Sequence, residues 1–359
     1  MAKKRVGLLT SGGDCPGLNA VMRAIAKTLY ETNDDIEIVG IEDGYLGLIQ
    51  GKYRMLKESD FSGILTLGGT MLGTKRTPFK MMRVIEADGV DKVAAMKENY
   101  KKLGLDCLFT LGGNGTHKTA NLLSQEGLNI IGLPKTIDND IFGTDVTFGF
   151  HTALDIATEN LDRIHTTACS HGRVMVVEVM GNKAGWLTLY AGLAGGADVL
   201  LIPEIPYDID KVAKLVKKRQ KKGCKFSIVA VAEGVISQEE AKMKKKERDE
   251  ARRQDGIVFA SGRIAKQLEA MTGQETRLVT LGHIQRGGSP SAYDRLLSTK
   301  FGVYAAQLYN SRIFGVTVAE KRNQITHNNL ADIAGIPKLV SPTDETVLMA
   351  KRMGISFGD

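Results

Sequence analysis

Residues 5–30 read RVGLLTSGGDCPGLNAVMRAIAKTLY. The apolar run RVGLLT gives way through SGGD to a segment in which Leu18, Val21, Met22, Ile25 and Leu29 recur at helical spacing. That is a strand, a glycine turn and a helix. Outward from it the alternation continues with strand IEIVGI, helix VDKVAAMKENYKKLG, strand DCLFTLGG, helix HKTANLLSQEG and strand NIIGLP. A loop, KTIDNDIFGTDVTFGF, separates this series from a second one: helix HTALDIATENLDRIHTT, strand RVMVVEVM, helix KAGWLTLYAGLAGG, strand DVLLIP, helix DIDKVAKLVKKRQKKG and strand KFSIVAVAEG. Strands alternating with helices imply parallel sheets covered by helices on both faces, so the fold class is α/β with two such units.

The length agrees, since a single core rarely grows past roughly 250–300 residues and this chain has 359. With 43% hydrophobic and 25% charged residues the composition is that of an ordinary globular protein and excludes a disordered chain. No apolar run approaches the roughly 20 residues a bilayer span requires, and the start MAKKRVGLLTSGGD lacks the apolar core of a signal peptide. Cys15, Cys107, Cys169 and Cys224 are widely separated, so neither a zinc site nor a disulfide framework is expected, and the protein is expected in a reducing cytoplasm with no membrane partner. The net charge of +7 is concentrated: residues 211–253 hold 15 basic and 6 acidic side chains, which leaves −2 for the rest. That segment has a single aromatic, Phe226, and no reading motif, so a solvated helical face is expected there rather than a nucleic-acid partner. Within it, residues 236–256 read as an exposed, charged helical insertion.

In open parallel sheets, ligands bind beyond the carboxyl ends of the strands, where the following helices offer free N–H groups. Three glycine pairs are expected at such ends: TSGGD after the first strand, TLGGT after Ile64-Leu65, and TLGGNGT after Cys107-Leu108-Phe109. None fits the Walker A loop or the dinucleotide fingerprint, which points to backbone cradling of phosphate of another kind. The string LPKTIDND at 133–140 follows the next strand. Lys135 and Thr136 could meet a transferring phosphoryl group, Asp138 could accept a proton from an attacking hydroxyl, and Asp140 could help hold Mg²⁺. The same string also suits an Asx-rich loop whose carboxylates cap the backbone. GHIQRGGSP supplies His283 and Arg286, while Arg76, Arg173 and Arg277 are further anion clamps. Glu233 could accept hydrogen bonds from sugar hydroxyls or face solvent.

Eight strings, LTSGGDCPGLNAVMR, DGYLGL, GGTMLGT, LGGNGT, PKTIDNDIFGTDVTFGFHTA, SHGRVMVVEVMG, AGLAGGAD and LGHIQRGGSPSAYDR, run in this order from residue 6 to about 305. Together they resemble the 6-phosphofructokinase family. The resemblance implies Mg²⁺-dependent phosphoryl transfer from ATP to the 1-hydroxyl of fructose 6-phosphate, giving fructose 1,6-bisphosphate and ADP in glycolysis. It also implies two similar doubly wound, Rossmann-like domains with parallel-rich sheets and an active-site cleft between them. Residues 1–149 plus 285–335 would form the phosphate-donor domain, and 150–284 plus 336–359 the fructose 6-phosphate domain.

Carried onto matching positions, the resemblance makes Asp138 the general base, with Lys135, Thr136 and Arg76 at the transferring phosphoryl group. Gly12, Tyr45, Arg76, Gly113, Asn114, Gly115 and Thr116 would line the donor site, and Asn114 and Asp140 would lie at the metal. Met180, Gly181, Glu233, His283 and Arg286 would hold the sugar phosphate together with Thr136, Asp138 and Asp140. Arg173 and Arg277 would reach it from a neighbouring subunit, which implies a homotetramer.

Three positions depart from the family's pattern. Asn114 stands where ATP-dependent bacterial members commonly have a metal-holding aspartate, and Asn182 replaces a commonly seen arginine. The third is Lys135: KTIDND is usual in pyrophosphate-dependent members, where it accompanies an aspartate at the place of Gly115. A carboxylate at 115 would crowd and repel the α-phosphate of a nucleotide, whereas glycine leaves room for it. ATP is therefore the expected donor, with pyrophosphate the alternative. A third possibility, an inactive phosphosugar-binding regulator, is opposed by the presence of Thr136, Asp138 and Asp140 together.

Overall fold

The computed structural model describes residues 4–87, 89–254 and 259–359. Residues 1–3 of the expected donor domain and 255–256 of the charged insertion lie outside them. In chain order the described strands are β1 (Lys4–Ser11), β2 (Ile36–Ile41), β3 (Tyr53–Leu56), β4 (Cys107–Gly112), β5 (Ile130–Pro134), β6 (Val174–Val179), β7 (Val199–Leu201), β8 (Ser227–Ala232), β9 (Thr276–Thr280), β10 (Val316–Lys321) and β11 (Gln324–Asn329).

The chain divides into two compact units, Met1–Thr152 with Arg286–Lys338, and Ala153–Gln285 with Leu339–Asp359. It therefore passes from one to the other three times, the first within the helix Phe150–His171.

The first unit holds a seven-stranded sheet in the order β11-β10-β5-β4-β1-β2-β3. Its five central strands are parallel, while β3 and β11 close the two edges in antiparallel fashion. Every residue of β4 and β5 is buried, as expected of strands covered on both faces, which explains why they read as near-continuous apolar runs, with Thr110 the one polar side chain. Leu9, Val39, Leu108 and Ile130 from the sheet pack with Tyr45, Met96 and Leu123 from the helices in one core cluster.

The second unit holds a four-stranded, wholly parallel sheet in the order β7-β8-β6-β9. Val174, Val176, Val229 and Val231 form its core with Val212, Val216, Ile264 and Leu268 from the flanking helices.

One expectation fails. TLGGT does not follow a strand: Ile64–Thr66 is a single 3-10 turn, entered through Gly63 at φ 72°. Two apolar residues behind a left-handed glycine are too few to pair into a sheet. Gly68 serves packing instead, since a Cβ there would stand 2.1 Å from the Gly288 carbonyl oxygen. Only two of the three glycine pairs lie at strand ends. The hairpin β10–β11 was not anticipated either. Its two-residue turn, Arg322-Asn323, has φ 51° and 64°, the type I′ geometry that matches strand twist.

The charged insertion is helical over Gln238–Ala241 and Lys245–Gln254, and the second of these helices buries no residue, in line with a solvated face. It is nevertheless tethered. Glu240 is buried, closes a capping box with Ser237, and accepts hydrogen bonds from Arg252 at 2.7 and 3.0 Å and from Arg263 at 2.8 Å. These guanidinium partners overcome the cost of burial and hold its carboxyl down at about 2. No described helix is long and apolar enough to cross a membrane.

Candidate active site

The chain leaves β1 for a neighbour on one side, β2, and later fills the other side with β4, so the first sheet changes direction between β1 and β4. Loops leaving such a switch point diverge and open a crevice at the strands' carboxyl ends. Ser11 pairs with Gly112 and Gly112 with Pro134, which sets Gly12-Gly13, Gly113–Thr116 and Lys135–Asp140 side by side along that edge.

Two helices begin there. Leu18–Thr32 starts after Gly17 and Asn114–Gln125 after Gly113, and neither has a side-chain cap. Their first N–H groups remain available to an anion, where the helix dipole adds positive potential. Lys135 is only 3% exposed, and its ammonium donates to the Gly13 carbonyl. Burial pulls its pKa down, and the nearby Arg286 guanidinium adds to the effect. Arg286 donates to the Asp14 carbonyl at 2.9 Å and lies so close over Gly13 that a Cβ there would meet Nη1 at 2.6 Å. Two cations thus flank the Gly12-Gly13 backbone. Gly12 adopts φ 86°, and a Cβ there would point between Lys135 Nζ at 3.7 Å and Thr116 Oγ1 at 3.9 Å. At Gly115 the Cβ position has nothing within 4 Å.

Tyr45 is 1% exposed, and its hydroxyl donates to the Thr116 carbonyl at 3.0 Å, so it supports the glycine loop from behind. Thr116 is buried too and donates to the Ser11 carbonyl at 3.3 Å. Arg76 is exposed, on a segment tied to the site by Thr74 Oγ1, which donates to the Gly12 carbonyl at 2.7 Å.

The loop after β5 carries the carboxylates. Asp138 is 8% exposed, and its amide donates to Thr136 Oγ1 at 3.0 Å, which leaves the Thr136 hydroxyl proton for another acceptor. Asn139 follows in a left-handed conformation, φ 51°. Asp140 accepts from Asn114 Nδ2 at 3.0 Å, both at its carboxylate and at its carbonyl. Burial raises its pKa, opposed by the Asn114 amide. Asn114 Oδ1 is buried and receives no hydrogen bond from the described residues. A vacant amide oxygen beside a desolvated carboxylate is a donor set that suits a hard cation. No cluster of three or more His, Cys, Asp or Glu side chains poised for a metal occurs among the described residues. A cation here would draw most of its ligands from phosphate and water.

His117 locks the glycine loop. Its Nδ1 lies 3.0 Å from the Gly113 carbonyl and its Nε2 2.8 Å from Thr317 Oγ1, an arrangement served by the neutral ring. Burial drags its pKa from 6.5 to about 4; the Gly113 carbonyl opposes this and the Lys135 charge adds to it. The unfolded chain therefore binds the proton first, and stability is lost as pH falls from 6.5 toward 4. The shift corresponds to roughly 3 kcal/mol. Urea midpoints at pH 7.5 and 4.5 should differ less in His117→Gln than in the parent, and equal differences would remove this assignment.

In the second unit, Met180, Glu233 and His283 follow the neighbouring strands β6, β8 and β9. Gly181 has φ 144° and Asn182 φ 53°, and the Asn182 amide donates to Glu233 Oε1 at 2.6 Å. The Met180 amide donates to Gln285 Oε1 at 3.4 Å, and His283 is exposed. Arg173 and Arg277 meet at one carboxylate: Arg173 Nε lies 2.9 Å from Glu275, to which Arg277 also donates.

Several supporting residues carried no recognised signal. Asp294 is fully buried and accepts from the Gly149 amide at 2.9 Å, the Thr152 amide at 2.7 Å and the Thr152 hydroxyl at 2.6 Å. Thr147 Oγ1 donates to the Thr136 carbonyl at 2.7 Å, and Asn139 Oδ1 accepts from the Thr147 amide at 3.1 Å. The string DND, which sets an asparagine, one of the few residues besides glycine that tolerate a left-handed turn, between two acids, could have revealed Asn139.

Comparison with known proteins gives a consistent result. The family model described as Phosphofructokinase matches residues 5–309. An ATP-dependent 6-phosphofructokinase of Spirochaeta thermophila is 53% identical over 362 residues, covering 100% of this chain and 98% of the relative. ATP-dependent 6-phosphofructokinase 3 of Bacteroides thetaiotaomicron is 47% identical, covering 99% of this chain and 100% of the relative. Among solved structures, a pyrophosphate-dependent phosphofructokinase of Nitrosospira multiformis superposes with a TM-score of 0.82, covering 99% of this chain and 93% of that one; at 20% identity this likeness speaks for the fold alone.

Proposed function

The chain belongs to the phosphofructokinase family, and from that premise we propose that the groups at the ends of β1, β4 and β5 carry out its chemistry. The activity is ATP-dependent phosphoryl transfer to fructose 6-phosphate, a step of glycolysis. The observation that supports the site assignment is the pair of cations, Lys135 and Arg286, flanking a glycine backbone next to two uncapped helix N-termini.

Gly12 and Gly113–Thr116 bind the donor phosphates through backbone N–H groups, with Arg76 closing over them and Tyr45 fixing the loop. The Thr136 hydroxyl donates to the transferring phosphoryl group, and Lys135 supplies fixed charge beneath it. Asp138 takes the proton of the sugar's 1-hydroxyl as it attacks. Asn114 and Asp140 hold Mg²⁺, which when bound neutralises charge on the phosphates. In the second unit, Glu233, Met180 and Gly181 recognise the sugar. His283 and Arg286 bind its phosphate. Arg173 and Arg277 serve the substrate of a neighbouring subunit in a cytoplasmic homotetramer, exchanging Glu275 for the ester.

The test is turnover of fructose 6-phosphate by the purified protein with Mg²⁺ and either ATP or pyrophosphate at equal concentration. A preference for ATP is expected. A preference for pyrophosphate would overturn the donor assignment, and turnover with neither would leave a phosphosugar-binding protein.

A further inference from the structure

Behind the loop after β5 stands a residue from beyond the matched family region, which ends at 309. The chain returns after β11 and the short helix Leu330–Ile333, and Pro337 forms an antiparallel bridge with Ile141. The next residue is Lys338. Its amide donates to the Asp140 carbonyl at 2.8 Å. Its ammonium donates to Asn139 Oδ1 at 3.0 Å, to the Thr144 carbonyl at 3.0 Å and to the Asp145 carbonyl at 2.8 Å. All three protons of the ammonium are used, and the acceptors lie on both limbs of the 138–145 loop.

The geometry matters because of what Asn139 does. It is the single residue between Asp138 and Asp140, and its left-handed backbone turns the chain between them. Its side-chain oxygen is held from two directions, by Lys338 Nζ and by the Thr147 amide. A left-handed non-glycine residue persists only where its surroundings over-determine it. Without the ammonium, the Asn139 side chain keeps Thr147, whose amide and hydroxyl reach Oδ1 at 3.1 and 3.5 Å, and one long bond from its own Nδ2 to the Asp145 carbonyl at 3.4 Å; it loses its strongest tie to the far limb, and the two carboxylates lose their fixed mutual orientation.

We propose that Lys338 is a positioning residue for phosphoryl transfer: by stapling Asn139 to the far limb of the loop it sets how Asp138 and Asp140 face the reacting groups. This rests on the assignment of Asp138 as base.

Lys338→Met keeps an unbranched, flexible stem and removes the donors. Its kcat should fall by about 10- to 100-fold, the scale of small misplacements in a reacting constellation, while KM for fructose 6-phosphate and for ATP stays within about 3-fold. A structural role alone would lower the melting temperature and leave kcat per folded molecule unchanged. Asn139→Ala should reproduce the loss, and the double variant should lose little more than the worse single one, since both remove the same staple. If Lys338→Met does not accumulate folded, Lys338→Gln takes its place with the same expectation. Unchanged kcat, or losses that multiply in the double variant, would overturn the proposal. If Asp138→Asn were itself fully active, the base assignment would fall instead, so the two failures are distinguishable.

Discussion

Asp138→Asn is expected to lower kcat by roughly 10²- to 10⁴-fold, the usual contribution of a positioned general base. The substitution preserves shape and leaves in place the backbone bond from residue 138 to Thr136 Oγ1. It removes the carboxylate's charge and with it the capacity to take up a proton. The sugar's own ligands, Glu233, His283 and the arginines, are untouched, so binding of fructose 6-phosphate measured by calorimetry should change by less than about 3-fold. A sugar that no longer binds would place Asp138 among the recognition groups, and a variant of full activity would remove it from the mechanism.

Gly115→Asp should move donor choice. Gly115 is the second residue of the helix Asn114–Gln125, and a Cβ there meets nothing within 4 Å. The fold therefore has no objection to a side chain, and an acid in the first turn even complements the helix dipole. Its carboxylate would instead face the phosphate nearest the nucleoside. Two like charges about 5 Å apart at an effective dielectric near 20 repel by roughly 3 kcal/mol. The ratio of kcat/KM for ATP to that for pyrophosphate should fall by about 100-fold, with the melting temperature unchanged or slightly higher. An unmoved ratio in a folded variant would mean that the nucleotide does not pass over Gly115.

The alternation of strands and helices was legible because parallel strands, covered on both faces, become near-continuous apolar runs such as CLFTLG, broken by Thr110, and VMVVEV, broken by Glu178. The glycine pairs at Gly12 and Gly113 were legible as well, each following such a run. TLGGT misled because two apolar residues before a glycine pair look alike whether they end a strand or sit in a 3-10 turn; what separates them is Gly63 and the approach of Gly288, a residue distant in sequence. The reacting side chains could be named from one short string, since their chemistry is written in their identity. Their supports could not. Asn139 and Lys338 are 199 residues apart, and no local pattern announces a bond between them. The buried Asp294 looked like any residue of a helix's first turn until its three partners were in place.

The repeated passage of the chain between its units also governs the order in which the protein can be made. β5, whose carboxyl end bears the reaction loop, pairs on one side with β4 and on the other with β10. Pro134 ends β5 and Val316 begins β10, 182 residues later. At about 5–20 residues per second, a ribosome needs roughly 10–40 s to cover that distance. Throughout that interval the nascent β5 has an open edge of apolar backbone, the kind of surface on which strands of other chains can pair. Meanwhile the whole four-stranded sheet of the second unit is synthesised and free to close. Vectorial synthesis thus completes the second unit's sheet before the first unit's, the reaction loop acquires its Lys338 support late, and the second unit's own tail, Leu339–Asp359, comes last of all.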